Sequence, residues 1–115
     1  MTVPSTMKAV AIHEADDMRV GTRPVPKPGL GEVLLKVEVA SICGTDVKVL
    51  HRTLAGMPAA DFIMGHEYAG TVAALGPGTT GVAEGERVLV HSRWGCGRCW
   101  SCLQGEENRC ERTPA

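Results

Sequence analysis

The chain has 115 residues, a single domain's length, with twelve basic and thirteen acidic side chains and a formal net charge of −1. The charges are scattered along it, which excludes the basic stripe of a nucleic-acid binder and the acidic tail of a disordered partner segment. Aromatics make up only 3% of residues against 43% hydrophobic overall, so any core has to be built from Val, Leu, Ile, Ala and Met.

The opening segment MTVPSTMKAVAIHEADD has no basic head followed by an apolar run, so no signal peptide is expected. No apolar stretch approaches the roughly twenty residues of a membrane helix, so no membrane partner is expected either. The expected location is cytoplasmic. Thiols stay reduced there, and cysteines serve metals or catalysis more often than disulfides.

In chain order, MKAVAIH at 7–13 reads as a strand, and RPVPKPGLGE at 23–32 as a turn-rich connection. EVLLKVEVAS at 32–41 is the clearest strand. Val33, Leu35, Val37 and Val39 recur with period two, a pattern that predicts one face in a core and one in solvent. Thr45 is a candidate N-cap for a short helix over DVKVLHR. AGMPAAD at 55–61 reads as a turn, EYAGTVAAL at 67–75 as a strand, GPGTTG at 76–81 as a turn and RVLVH at 87–91 as a last strand. Short strands with frequent turns predict a mainly β domain, barrel or sandwich, with one or two short helices. GPGTTG fits G-x-G-x-x-G, but the strand RVLVH follows almost at once where a helix is required. A plain turn is the reading, and no nucleotide fold is expected.

Cys96, Cys99, Cys102 and Cys110 have the spacing C-x2-C-x2-C-x7-C. Four thiolates around Zn²⁺ make a closed tetrahedral site with no position for substrate, so this loop reads as a structural zinc site. Gly97 and Gly105 would let the short loop wrap the ion. Two alternatives stand beside zinc. Disulfides suit the even count, and an iron–sulfur cluster also uses runs beginning C-x2-C-x2-C, although those continue x3-C-P where this chain has Glu106.

Cys43 in ASICGTDVK and His66 in GHEYAG are a second pair of candidate ligands. Each alone reads as an ordinary buried or hydrogen-bonded side chain. Together, with Thr45, Asp46 and Glu67 beside them, they suit a zinc with an open position that activates a water or alcohol.

GHEYAGTVAALG resembles the zinc signature G-H-E-x2-G-x5-G of the medium-chain zinc-dependent alcohol dehydrogenases. CGTD resembles the first catalytic-zinc segment of that family, in its threonine and polyol dehydrogenase form. The loop from Cys96 to Cys110 matches the family's structural-zinc lobe in all four cysteines. The resemblance runs from about Met7 to Cys110. It implies a GroES-like, partly open β-barrel with a structural-zinc loop. It further implies that Cys43 and His66 are catalytic-zinc ligands with Glu67 as an alternate ligand or electrostatic tuner. Thr45 would be the hydroxyl that bonds the substrate oxygen and relays its proton, and Asp46 the partner that fixes the His66 tautomer. NAD or NADP would accept the hydride from a small-molecule alcohol.

Lys48 stands where some members have a relay histidine, with His51 three residues later as a substitute, and Gly44 replaces a cationic residue that touches the cofactor in some members. Thr79 departs from the signature with little expected effect. His13 and His91 have no motif support and are expected to be structural or solvent-facing. The family's third catalytic-zinc ligand and its nucleotide-binding Rossmann domain have no counterpart within residues 1–115. The expectation is therefore a single truncated N-terminal domain, inactive by itself. The alternative is a standalone zinc-stabilised binding or assembly module, whose strand edges would favour a homo-oligomer.

Overall fold

The computed structural model describes residues 2–54 and 61–112. Strand β1 (Thr6–Glu14) folds back on β2 (Asp17–Pro24), with Val10 opposite Val20, and β4 (Phe62–Ile63) pairs on its other side. The second sheet has β5 (Tyr68–Leu75) in the middle, flanked by β3 (Val33–Ala40) and β6 (Arg87–Leu89). All pairings are antiparallel. Two helices are short: α1 (Gly44–Leu50), which follows β3, and α2 (Trp100–Leu103), which lies in the cysteine loop. A single 3-10 turn, Glu107–Arg109, closes that loop. The domain is mainly β with open sheets, as expected. Among the described residues no helix is long and apolar enough to cross a membrane.

The central strand of each sheet carries its buried residues, Ala11 and Ile12 on β1, Val72 and Ala73 on β5. The period-two expectation for β3 needs correction. Val37 and Val39 are 53% and 63% exposed, and a register shift between them breaks the alternation. Val37 lines an open concavity of about 740 Å³ between the sheets, walled also by Met7, Leu35, Ile63, Tyr68 and Val88. The radius of gyration, 15.9 Å, exceeds the roughly 13 Å of a compact domain of this size. The two sheets leave this concavity between them, in keeping with a partly open barrel.

Three connections fix the ends of these strands. At the β1–β2 turn, Asp16 takes up φ 61°, and its N–H donates to the Leu50 carbonyl at the end of α1. Its carboxylate meets His51 Nδ1. Asp61 accepts from Arg23 and lies 3.5 Å from His13 Nε2, so His13 is a structural partner, as expected. GPGTTG is the turn after β5. Gly76 packs so close to the loop before β3 that a Cβ would overlap the Gly29 carbonyl oxygen, while its own N–H donates to Glu32. Thr79 is more useful than its motif position suggested, because its hydroxyl donates to the Glu32 carbonyl at 2.9 Å. The turn expected at 55–61 lies, apart from Asp61, outside the described residues.

Candidate functional site

The cysteine loop gathers its four sulfurs within 4.8 Å of one another. Cys99 Sγ is 3.4 Å from Cys102 Sγ and 3.8 Å from Cys110 Sγ. Four thiolates at zinc bond lengths stand about 3.8 Å apart along the edges of a tetrahedron. A disulfide needs about 2.0 Å, and all four cysteines are free. A cluster would need room for several irons and sulfides between the thiolates, and this spacing leaves none. The geometry therefore suits one tetrahedral ion.

Backbone N–H groups prepare the sulfurs for it. Cys96 and Arg112 donate to Cys110 Sγ, and Cys99 donates to Cys96 Sγ, each at 3.3 Å. Those two amides hold the Cys110 thiol down to about 6, and the amides of Cys102 and Glu111 hold Cys99 below its ordinary value. Burial, and then the neighbouring Cys99 sulfur, push Cys102 up to about 12. Thiolates this close repel one another, and a dication among them removes that repulsion. Gly97 and Gly105 have positive φ, as the loop reading required. Gly95 was not singled out from sequence, yet a Cβ there would stand 2.5 Å from Cys102 Sγ.

The second cluster joins the end of β3 to the start of β5. Cys43, not Thr45, is the N-cap of α1. Its Sγ accepts the Thr45 N–H at 3.3 Å, and its own N–H donates to Asp46 Oδ2 at 2.8 Å. Thr45 lies two residues past the cap, since Gly44 already has helical geometry. The sulfur thus does the work usually given to a hydroxyl. His66 follows Gly65, whose φ is +105°, and its Nε2 reaches 3.3 Å from Cys43 Sγ. Tetrahedral zinc bonded to both would set sulfur and nitrogen about 3.6 Å apart. A Glu67 carboxylate oxygen completes a group of three donor atoms within 4.8 Å.

Asp46 stands behind this group. It is 4% exposed, and its Oδ1 is buried without a hydrogen-bond partner, 3.6 Å from His66 Nδ1. A buried carboxylate with an unused oxygen is costly unless positive charge lies close by. A cation held by Cys43 and His66 would supply that charge, and the residues fit a metal. Thr45 is exposed in the first turn of α1. Lys48 is exposed, and His51 is engaged with Asp16 at the β1–β2 turn, so neither joins the cluster in this structure. Ser41, which sequence reasoning passed over, donates its hydroxyl to Glu67 Oε2 at 2.7 Å.

Residues 29–115 match the alcohol dehydrogenase GroES-like domain family. The chain belongs to that family. Its domain is 39% identical over 111 residues to sorbitol dehydrogenase of Bacillus subtilis, covering 95% of this chain and 31% of that protein. It is 43% identical over 91 residues to L-threonine 3-dehydrogenase of Pyrococcus horikoshii, covering 77% of this chain and 26% of that one. In structure it resembles a cobalt- and zinc-bound thermostable alcohol dehydrogenase from Pyrobaculum aerophilum, with a TM-score of 0.85 and 36% identity over 94% of this chain and 33% of the other. This GroES-like domain thus spans a third or less of the length of these relatives.

Proposed function

We propose that this chain is the zinc-binding catalytic domain of a cytoplasmic NAD(P)-dependent alcohol or polyol dehydrogenase, and that the longer protein adds a nucleotide-binding domain. The observation that carries the reading is the meeting of Cys43, His66 and Glu67 donor atoms within 4.8 Å, backed by buried Asp46. On this reading Cys43, His66 and Glu67 hold a catalytic zinc, and Cys96, Cys99, Cys102 and Cys110 hold a structural one.

When bound, the catalytic zinc supplies Lewis acidity toward an alcohol oxygen. The Asp46 carboxylate, 3.6 Å from His66 Nδ1, favours the proton on that nitrogen, so that Nε2 keeps its lone pair for coordination. Thr45 presents a hydroxyl two residues from Cys43, on the solvent side, where it bonds the substrate hydroxyl and passes its proton outward. The names of the relatives point to a secondary alcohol in a polar molecule as the substrate class. NAD or NADP receives the hydride in the longer protein.

Metal content tests the reading. The chain loaded with zinc and desalted should hold two ions, and Cys43→Ala or His66→Ala should hold one. A wild-type content of one ion, unchanged in both variants, would overturn it. The chain alone should not reduce NAD or NADP with sorbitol or L-threonine, because GPGTTG turns straight into β6 instead of opening a phosphate-binding helix. The apolar concavity favours a second reading, a binding module without catalysis. That reading needs only the four-cysteine ion, so the same metal count separates the two.

A further inference from the structure

Ser41 follows β3 directly and precedes Cys43 by two residues. Its backbone N–H donates to the Glu67 carbonyl at 3.0 Å, and its hydroxyl donates to Glu67 Oε2 at 2.7 Å. Glu67 is therefore tied to one residue at both its main chain and its side chain. The main-chain bond continues the β3–β5 ladder beyond the Ala40–Tyr68 pair. The position of Glu67 is thus set by the sheet, and the direction of its carboxylate by the hydroxyl.

An exposed glutamate is free to swing among many rotamers, and ordering it costs side-chain entropy. Glu67 is exposed, yet its carboxylate stays with Cys43 and His66. The Ser41 hydroxyl supplies the restraint. It occupies a lone pair on Oε2, which leaves Oε1 as the better donor to an ion and favours single-oxygen ligation.

We propose that Ser41 is a positioning residue that fixes Glu67 as the third protein donor at the Cys43–His66 site. This rests on the metal-site reading above and adds to it a determinant outside the donor set. Hydrogen-bond partners that orient a ligand change metal affinity by roughly 10- to 100-fold. An exposed bond should lie at the low end of that range.

The test is ¹¹³Cd²⁺ binding by the full chain, followed by NMR and by competition with a chromophoric chelator. Each thiolate deshields the cadmium nucleus, so the four-cysteine ion and the single-thiolate ion give well-separated resonances. The first doubles as a folding control. Ser41→Val and Ser41→Thr have the same shape and differ by the hydroxyl. Ser41→Val should weaken the single-thiolate site by roughly tenfold and move its resonance, while Ser41→Thr retains both. Glu67→Gln should weaken the site at least as much as Ser41→Val, and the double variant should lose no more than Glu67→Gln alone. Equal affinities and shifts for the Val and Thr variants, or losses that add in the double variant, overturn the role of Ser41. A wild-type chain without the single-thiolate resonance overturns the metal-site reading, and this inference with it.

Discussion

The two donor clusters are built in opposite ways. The cysteine loop draws its four candidate ligands from the stretch 96–110, and each is a cysteine sulfur. The other cluster takes a thiol, an imidazole and a carboxylate from two segments, with Cys43 and His66 separated by 23 positions. A local loop with four equal donors closes cheaply and leaves an ion no free position. Three unlike donors at the junction of two strands depend on the fold already being in place, and they leave one side open. Locality and donor count together separate a site that stabilises the fold from one that uses it.

Removing metal from the cysteine loop should have the largest effect and tests the first half of that contrast. Structural zinc can contribute about 10 kcal/mol to the folding of a small domain, and the described residues offer few fully buried side chains to replace it. A strong chelator, or Cys102→Ser, should lower the melting temperature by more than ten degrees, a large shift for a domain of this size. An unmoved circular-dichroism melting curve would show that the loop is no staple.

Gly76→Ala comes next. Its new methyl group would overlap the Gly29 carbonyl and should cost about 3 kcal/mol in urea unfolding, without changing the zinc content of either cluster per folded chain. A loss of one ion would mean that the β5 turn and the His66 region are coupled, which would blur the contrast between fold and site. The smallest effect on folding belongs to Asp46→Asn. The amide can still accept the Cys43 N–H and keep α1 capped, but it loses the charge behind His66. Metal affinity at the three-donor site should fall about tenfold with the four-cysteine ion retained. Equal loss at both sites would mean that Asp46 serves folding alone.

Much of this was legible in the sequence, and each miss has a physical reason. β1, β3, β5 and β6 were found because apolar residues alternate or cluster there. β2 was missed because almost all of its side chains are exposed, so DMRVGTRP carries no burial pattern. β4 is too short to leave one. The alternation in β3 did not hold past Val37, because a bulge between Val37 and Val39 breaks the period and an extra residue in one strand leaves no mark in the hydrophobic pattern. At the site, every donor that the structure brings together had been marked by its motif. Ser41 was not, although its place two residues before Cys43 was visible, because a serine acting through another side chain has no spacing signature. Gly95 escaped because close approach to Cys102 arises only when the loop is folded.

The open apolar concavity between the sheets has a practical consequence at the bench. Solvatochromic dyes such as anilinonaphthalene sulfonate brighten when they enter non-polar clefts, and thermal-shift assays assume that such clefts appear only on unfolding. Here Val37, Tyr68 and Val88 line a bowl that is accessible in the native state. The folded chain should therefore fluoresce strongly with the dye at room temperature and dim as heat destroys the bowl, an inverted trace that would pass for an unfolded preparation.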